Sequence, residues 1–428
     1  MLLLPGRHDY LERLDTTGID EHKDSTVITN NLNQARVADL RTTMAGHVER
    51  GDIPGIVMLI CRGDEIHLEA LGMTTIGGNE PMQRDTIFRV ASLTKPVTAA
   101  AAMILVDENK LRLDESVERW LPELANRKVL KSIGSPLDDT VPAKRSITLR
   151  DLMTSTFGFG SVMARSGTHP IQKPIRDGHL YGDGMPHFCL MPDTDEYMRR
   201  LGELPLMYQP GERWLYHTSC DVLGVLIARV SGRSFETFLR ERLFGPLGMK
   251  DTAFSVPTSK LGRLPGIYGF NPNSKQLEDF DNLQNSEYSR PPAFESGAGG
   301  LVSTAEDYHA FCRMMLNKGV RGRDRLLGKA SVELMTQDQL TPEQKSGADM
   351  FLGSNTSWGF CMGVNIQHDK PWVVPGRFGW DGGFGTSAYS DPKNDFIGIL
   401  LTQRLLDSPE PPRVLDDFWE HAYRSLGV

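Results

Sequence analysis

Ser92-Leu93-Thr94-Lys95 stands where the strand-like run Thr86-Ile87-Phe88-Arg89-Val90 gives way to an apolar helix beginning near Val97. Serine is a poor nucleophile at neutral pH and needs a base beside it. A lysine three residues on lies one helical turn away on the same face. A helix N-terminus also offers backbone N–H groups without helical partners, which favour developing negative charge. Taken alone, the pair also fits a serine N-cap followed by a solvated lysine, and roughly one S-x-x-K match arises by chance in a chain of this length. Its surroundings argue for more. Lys95 is followed by Pro96 and then by ten residues without a charge, Val97 to Val106. A lysine rooted in such a buried helix is desolvated, which lowers its pKa and makes it a usable base. Pro96 suits a first turn, where a missing N–H costs nothing.

The 428 residues suffice for a large core, and 39% hydrophobic with 24% charged residues is ordinary for a globular protein. The net charge of −8, with no block of lysines or arginines, argues against nucleic-acid and membrane partners. The five cysteines, Cys61, Cys189, Cys220, Cys312 and Cys361, are widely spaced and form no C-x-x-C pair. That composition disfavours zinc and dithiol chemistry and suits free thiols in a reducing compartment. The opening Met1-Leu2-Leu3-Leu4-Pro5 is too short an apolar run for a signal peptide, and Val97–Val106 is about half a membrane span. The expected location is cytoplasmic.

Residues 1–30 are polar and read as an irregular N-terminal arm. Val37, Leu40, Met44 and Val48 recur at helical spacing and predict a helix ending near Gly51. Ile56 to Cys61 predicts a buried strand. After the Arg62-Gly63-Asp64 turn, Ile66, Leu68 and Ala70 alternate with polar residues as in a half-buried partner strand. Residues 95–290 read as helices and long loops, with helices at Leu149–Met153, Val222–Val230 and Phe235–Phe244. The segment 164–195 fits a lid or a surface insertion equally well. Late strands are expected at Trp358–Ile366, Arg377–Trp380, Thr386–Ser390 and Phe396–Thr402, and a closing helix at Val414–Leu426. The expected fold is α+β. A sheet built from residues 31–94 and 291–428 receives the helical region, about 95–290, as an insertion within one domain, 31–428.

Two further patterns accompany Ser92. Tyr216 lies in Pro210-Gly211-Glu212-Arg213-Trp214-Leu215-Tyr216-His217-Thr218, between a turn and a helix. It reads either as a core tyrosine or as a cleft residue whose phenol pKa falls beside a lysine ammonium and relays a proton. In Gly379-Trp380-Asp381-Gly382-Gly383-Phe384-Gly385-Thr386 four glycines cluster around a strand. They suit a hairpin turn, or a backbone N–H brought close to an oxyanion.

Serine, lysine one turn on, a distant tyrosine motif and a late glycine-bearing strand resemble, in this order, the serine β-lactamase and penicillin-binding-protein superfamily. Ser146-Ile147-Thr148-Leu149-Arg150-Asp151-Leu152-Met153-Thr154 and Gly297-Ala298-Gly299-Gly300-Leu301 are similar to two of its recurrent segments, and the resemblance spans roughly residues 35–425. Two departures favour its family VIII carboxylesterases. Tyr216-His217-Thr218 replaces Tyr-x-Asn, and Asp221-Val222-Leu223-Gly224 follows it as in those esterases. Trp380-Asp381-Gly382 replaces Lys-Thr-Gly, and a tryptophan cannot pair with a substrate carboxylate. The resemblance implies a β-lactamase-like fold with the site between sheet and helical lobe. It implies Ser92 as acyl-accepting nucleophile, with Lys95 and Tyr216 as a coupled base and relay of unassigned order. Ser92 and Gly383 N–H groups would form the oxyanion hole, with Trp380, Asp381 and Gly382 beside the substrate. The implied partner is a small-molecule ester, and no cofactor or metal is implied. Amide or β-lactam hydrolysis, acyl transfer and a catalytically silent binding module are the alternatives. The patterns do not bear on oligomeric state.

Overall fold

The computed structural model describes residues 31–180, 188–281, 286–406 and 412–427. The expected N-terminal arm, residues 1–30, lies outside the described residues.

Helix α1 (Gln34–Glu49) begins at Asn33, whose side chain accepts the Arg36 N–H, and it buries Val37, Leu40 and Met44. Strand β1 (Gly55–Arg62) is buried along its whole length. It pairs antiparallel with β2 (Glu65–Gly72), residue for residue from Gly55 opposite Gly72 to Arg62 opposite Glu65. The expected alternation in β2 holds for Leu68 and Ala70, which pack on the core, but fails at Ile66, which is 52% exposed. The reason is position: β2 is an edge strand and Ile66 lies near its end. Of the expected strand 86–90, Phe88–Arg89 pairs, with Val302–Ser303 as partner. A tight turn at Ala91–Leu93 then leads into helix α2 (Thr94–Asp107), which starts three residues earlier than its apolar run suggests.

Helix α3 (Thr218–Ser231) buries an unbroken run from Thr218 to Ile227. Helix α4 (Ala305–Leu316) is capped by Thr304, whose side chain accepts the Asp307 N–H. The single strand expected at 358–366 is two, β3 (Thr356–Trp358) and β4 (Gly363–Asn365). A turn with Cys361 at φ 55° separates them. Strands β5 (Phe378–Gly382), β6 (Thr386–Asp391) and β7 (Phe396–Thr402) and helix α5 (Arg413–Arg424) follow as expected, give or take two residues.

The middle region is less purely helical than its sequence suggests. It holds two short hairpins, Lys128–Leu130 with Thr140–Pro142 and Ile267–Asn271 with Gln276–Asp281. Within 164–195 there is a helix at Gln172–Asp177, while 181–187 lie outside the described residues.

Seven strands form one antiparallel sheet in the order β3-β4-β5-β6-β7-β1-β2. The first strand of the sequence is zipped to the last, Ile56 opposite Thr402 and Arg62 opposite Phe396. One face of the sheet packs against α1 and α5 through Ile56, Met58, Ile60, Leu400, Phe418 and Trp419. Residues of the other face, among them Val57, Leu59, Ile399 and Trp380, join the large core that contains α2, α3 and α4. Among the described residues no helix is long and apolar enough to cross a membrane.

Candidate active site

Ser92 is the middle residue of the turn Ala91–Leu93. Ala91 has φ 46°, a left-handed conformation that costs a non-glycine residue energy and persists only where the surroundings impose it. Several bonds impose it here. The Thr94 hydroxyl donates to the Ala91 carbonyl (2.7 Å) and accepts the Leu301 N–H (3.1 Å). The Thr386 hydroxyl, at the start of β6, donates to the Val90 carbonyl (3.1 Å). The turn that carries Ser92 is thus tied both to the segment before α4 and to the sheet.

Ser92 Oγ lies 2.9 Å from Lys95 Nζ and 2.8 Å from the Tyr216 hydroxyl. Tyr216 ends the loop that enters α3, and its oxygen accepts the Trp380 indole N–H at 2.7 Å from β5. All four side chains are buried. Because an indole nitrogen only donates, it occupies a lone pair of the tyrosine oxygen and leaves the phenol proton directed at Ser92. Lys95 Nζ also reaches the Ala298 carbonyl (2.5 Å) and His217 Nδ1 (3.4 Å). Gly297 explains the close approach of that segment: a Cβ there would stand 2.3 Å from the Cys220 carbonyl oxygen in α3.

Burial lowers the Lys95 pKa to about 8, against the opposing pull of Cys220, Asp221 and Cys361. The Tyr216 phenol moves the other way from the expectation. Burial pushes its pKa up, and its hydrogen bonds with Ser92 and Trp380 offset that only in part. The reason is geometric: the lysine nitrogen sits over the tyrosine ring, 4.4 Å from its centroid, rather than beside its oxygen.

The glycine-rich segment divides by strand alternation. Trp380 and Gly382 face Ser92's side of β5. A Cβ on Gly382 would lie 2.6 Å from the Val90 carbonyl oxygen and 3.4 Å from Ala91 Cβ, so glycine lets β5 approach the serine turn. Gly383 follows in the β5–β6 turn, its carbonyl accepting the Leu406 N–H (2.9 Å). Asp381 points to the opposite face, where it accepts the hydroxyls of Ser387 (2.5 Å) and Tyr389 (3.0 Å). The structure therefore brings together Ser92, Lys95, Tyr216 and Trp380, sets Gly382 against the turn that carries Ser92, and turns the Asp381 carboxylate away. Trp380 was expected beside the substrate. Its ring does pack edge-on against Trp358, 4.7 Å between centroids, but its N–H contacts the tyrosine directly.

Sequence reasoning passed over His217, Asp221 and the Ala298 carbonyl as members of the site. Asp221 is fully buried in the first turn of α3, and Ser296 Oγ (2.5 Å) and the Ala298 N–H (3.1 Å) donate to its Oδ1. An aspartate inside the run Cys220-Asp221-Val222-Leu223-Gly224-Val225-Leu226 was the available signal, since a buried carboxylate needs dedicated partners. Among the described residues there is no group of three or more His, Cys, Asp or Glu that could hold a metal ion.

Residues 40–417 match the family model described as Beta-lactamase. The chain belongs to the beta-lactamase family. Protein Rv1367c of Mycobacterium tuberculosis is 37% identical to it over 369 residues, 84% of this chain and 88% of that protein. Esterase EstB of Burkholderia gladioli is 27% identical over 380 residues, again 84% and 88% of the two chains. The fold is similar to that of EstCE1, described as a hydrolase with promiscuous acyltransferase activity. The TM-score is 0.75 at 23% identity, over 91% of this chain and 99% of that one. The expected β-lactamase-like α+β fold, with a helix-flanked antiparallel sheet and a helical lobe, is the fold this family member has.

Proposed function

We propose that this family member is a serine hydrolase that cleaves carboxylic esters with short or apolar acyl groups through an acyl-enzyme on Ser92. The observation that carries the reading is the pair of contacts on Ser92 Oγ, 2.9 Å to a desolvated lysine and 2.8 Å to a tyrosine whose proton faces it. Lys95, neutral in a useful fraction near pH 8, takes the serine proton as Oγ bonds to the ester carbonyl carbon. The carbonyl π electrons move onto oxygen, and the Ser92 and Gly383 N–H groups receive that oxyanion. One such donor is worth about 2.7–4 kcal/mol of barrier. Collapse of the tetrahedral intermediate breaks the ester C–O bond. Tyr216 donates its proton to the departing alkoxide, and the tyrosinate is reprotonated from the Lys95 ammonium by way of the water that enters for the second half-reaction. Water repeats the sequence on the acyl-serine and releases the acid. The high pKa of Tyr216 favours it as donor and Lys95 as base.

Trp380 supports a neutral substrate, because the position that would meet an anionic carboxylate holds an indole already bonded to Tyr216. The relatives named as esterases, EstB and the Lovastatin esterase of Penicillium rubens, support the same class. Acyl transfer to an alcohol is the second reading, favoured by the similarity to Acyltransferase calJ of Penicillium decumbens, 27% identical over 394 residues. We further propose that residues 31–428 act as one catalytic unit. A cytoplasmic, reducing setting fits the free, buried Cys61, Cys220, Cys312 and Cys361.

Hydrolysis of p-nitrophenyl butyrate tests the reading. The protein is expected to cleave it far faster than nitrocefin, and Ser92→Ala is expected to abolish both turnover and labelling by a fluorophosphonate while the fold survives. Unchanged turnover in Ser92→Ala would sink the assignment. An ester product on adding an alcohol acceptor would identify transfer.

A further inference from the structure

Lys95 Nζ has three acceptors around it: Ser92 Oγ, the Ala298 carbonyl and His217 Nδ1, at 2.9, 2.5 and 3.4 Å. A lysine that acts as a base, the reading on which this inference rests, must attack as a neutral amine with two N–H groups and one lone pair. Catalysis then depends on which of the three neighbours meets the lone pair. A carbonyl only accepts, so Ala298 takes one N–H. His217 Nδ1 can take the other only when the imidazole proton is on Nε2. His217 Nε2 faces Asp221 Oδ2 at 3.5 Å, and a carboxylate there favours that tautomer. The other oxygen of Asp221 accepts the Ala298 N–H, so one carboxylate anchors both acceptors.

The backbone is bent to bring His217 to this place. It has φ 81° and ψ −72°. That is the centre of the strained form of γ-turn, closed by the Thr218 N–H on the Tyr216 carbonyl at 3.2 Å. Such strain persists where surrounding contacts impose it, and it gathers at functional sites. Here it lets two consecutive residues converge on one nitrogen, Tyr216 beneath it with its ring and His217 beside it with Nδ1.

We propose that Asp221 and His217 are a positioning pair that aims the Lys95 lone pair at Ser92. The Asp221 carboxylate, 3.5 Å from Nε2 and acting through its charge rather than a formed hydrogen bond, biases His217 toward the Nε2–H tautomer. His217 Nδ1 and the Ala298 carbonyl occupy the two amine hydrogens, and the lone pair is left for the serine proton. Neither residue touches the reacting carbonyl.

Asp221→Asn tests the tautomer. The amide oxygen keeps the bonds from Ser296 and Ala298, while the negative charge facing Nε2 is replaced by an N–H, which favours the proton on Nδ1, facing Lys95. The kcat for p-nitrophenyl butyrate is expected to fall about 100-fold or more, with KM within about threefold and Tm within a few degrees of the parent. At His217, Asn keeps an acceptor near Nδ1 and tolerates positive φ, whereas Leu keeps the bulk and removes the acceptor. His217→Asn is expected to retain about a third of kcat or more and His217→Leu about a thirtieth or less. A folded Asp221→Asn enzyme with kcat within about threefold of the parent, or equal activity of the two His217 variants, would overturn the pair. If Asp221→Asn does not fold, the His217 variants decide. Loss of activity in Ser92→Ala alongside full activity in Asp221→Asn removes this inference and leaves the hydrolase reading intact. Activity in Ser92→Ala removes the reading itself.

Discussion

Replacing Trp380 by Phe removes one N–H and keeps an aromatic ring against Trp358. The lost contact is the 2.7 Å bond to the Tyr216 oxygen, buried among Phe351, Trp358 and Trp380. A buried polar atom deprived of its partner costs about 1–3 kcal/mol. The orienting effect adds no separate energy: without the indole, the tyrosine hydroxyl has no donor occupying its lone pair and its proton is free to turn from Ser92. If the whole cost falls on the acylation transition state, kcat drops by about 5- to 150-fold at 1.36 kcal/mol per tenfold. KM should change little, because the indole N–H faces the tyrosine rather than the substrate. The assay is steady-state hydrolysis of p-nitrophenyl butyrate, with the rate of fluorophosphonate labelling as an independent measure of Ser92 reactivity and Tm as the check on folding. Trp358→Phe is the control. Its ring packs against both Trp380 and Tyr216 but makes no hydrogen bond to the phenol, so it should cost about threefold or less in kcat. A folded Trp380→Phe enzyme with kcat within about twofold of the parent would refute the reasoning. So would equal losses in the two variants, which would assign the effect to ring packing.

Two other outcomes follow from the same geometry. Since the base form of Lys95 is the unprotonated one and its pKa is lowered to about 8, log kcat/KM should rise with unit slope below that pH and level off above it. A pH–rate profile flat down to pH 6 would count against Lys95 as the base. Asp381→Asn should lower stability by about 1–3 kcal/mol in urea unfolding while leaving kcat within about threefold, because its carboxylate serves Ser387 and Tyr389 on the far face of the sheet. A large kcat loss without destabilisation would place Asp381 in the site after all.

How far the site could be read from sequence depends on whether the signal was local. Ser92 and Lys95 share one turn of backbone, and Trp380 declares itself by standing where the resemblance implies a lysine. The sheet strands were legible because burial writes itself as apolar runs in β1 and β7. The reversal at Tyr216 was not legible, since it depends on whether Lys95 meets the phenol oxygen or the ring face, a matter of ångströms fixed by residues over a hundred positions away. The orientation of Asp381 follows from strand alternation once Trp380 is placed, but that placement is tertiary. The break between β3 and β4 was hidden for a similar reason: Gly359 packs against Met335, and a Cβ there would be 2.1 Å from its carbonyl oxygen. His217 and Asp221 carried a signal in residue type alone, and their meaning depended on a strained backbone that no propensity describes.

The zipping of β1 to β7 has a consequence for how the protein is made. Ile56 finds its partner only when Thr402 has been synthesised. At about 5–20 residues per second, the interval on a ribosome is on the order of 20–70 s. Throughout it the β1 segment, buried along its whole length in the finished sheet, lacks its β7 partner and leaves that edge's peptide groups unpaired. The β1 segment is therefore an aggregation hazard in the nascent chain, and Lys or Pro substitutions on its waiting edge would trade final stability for yield.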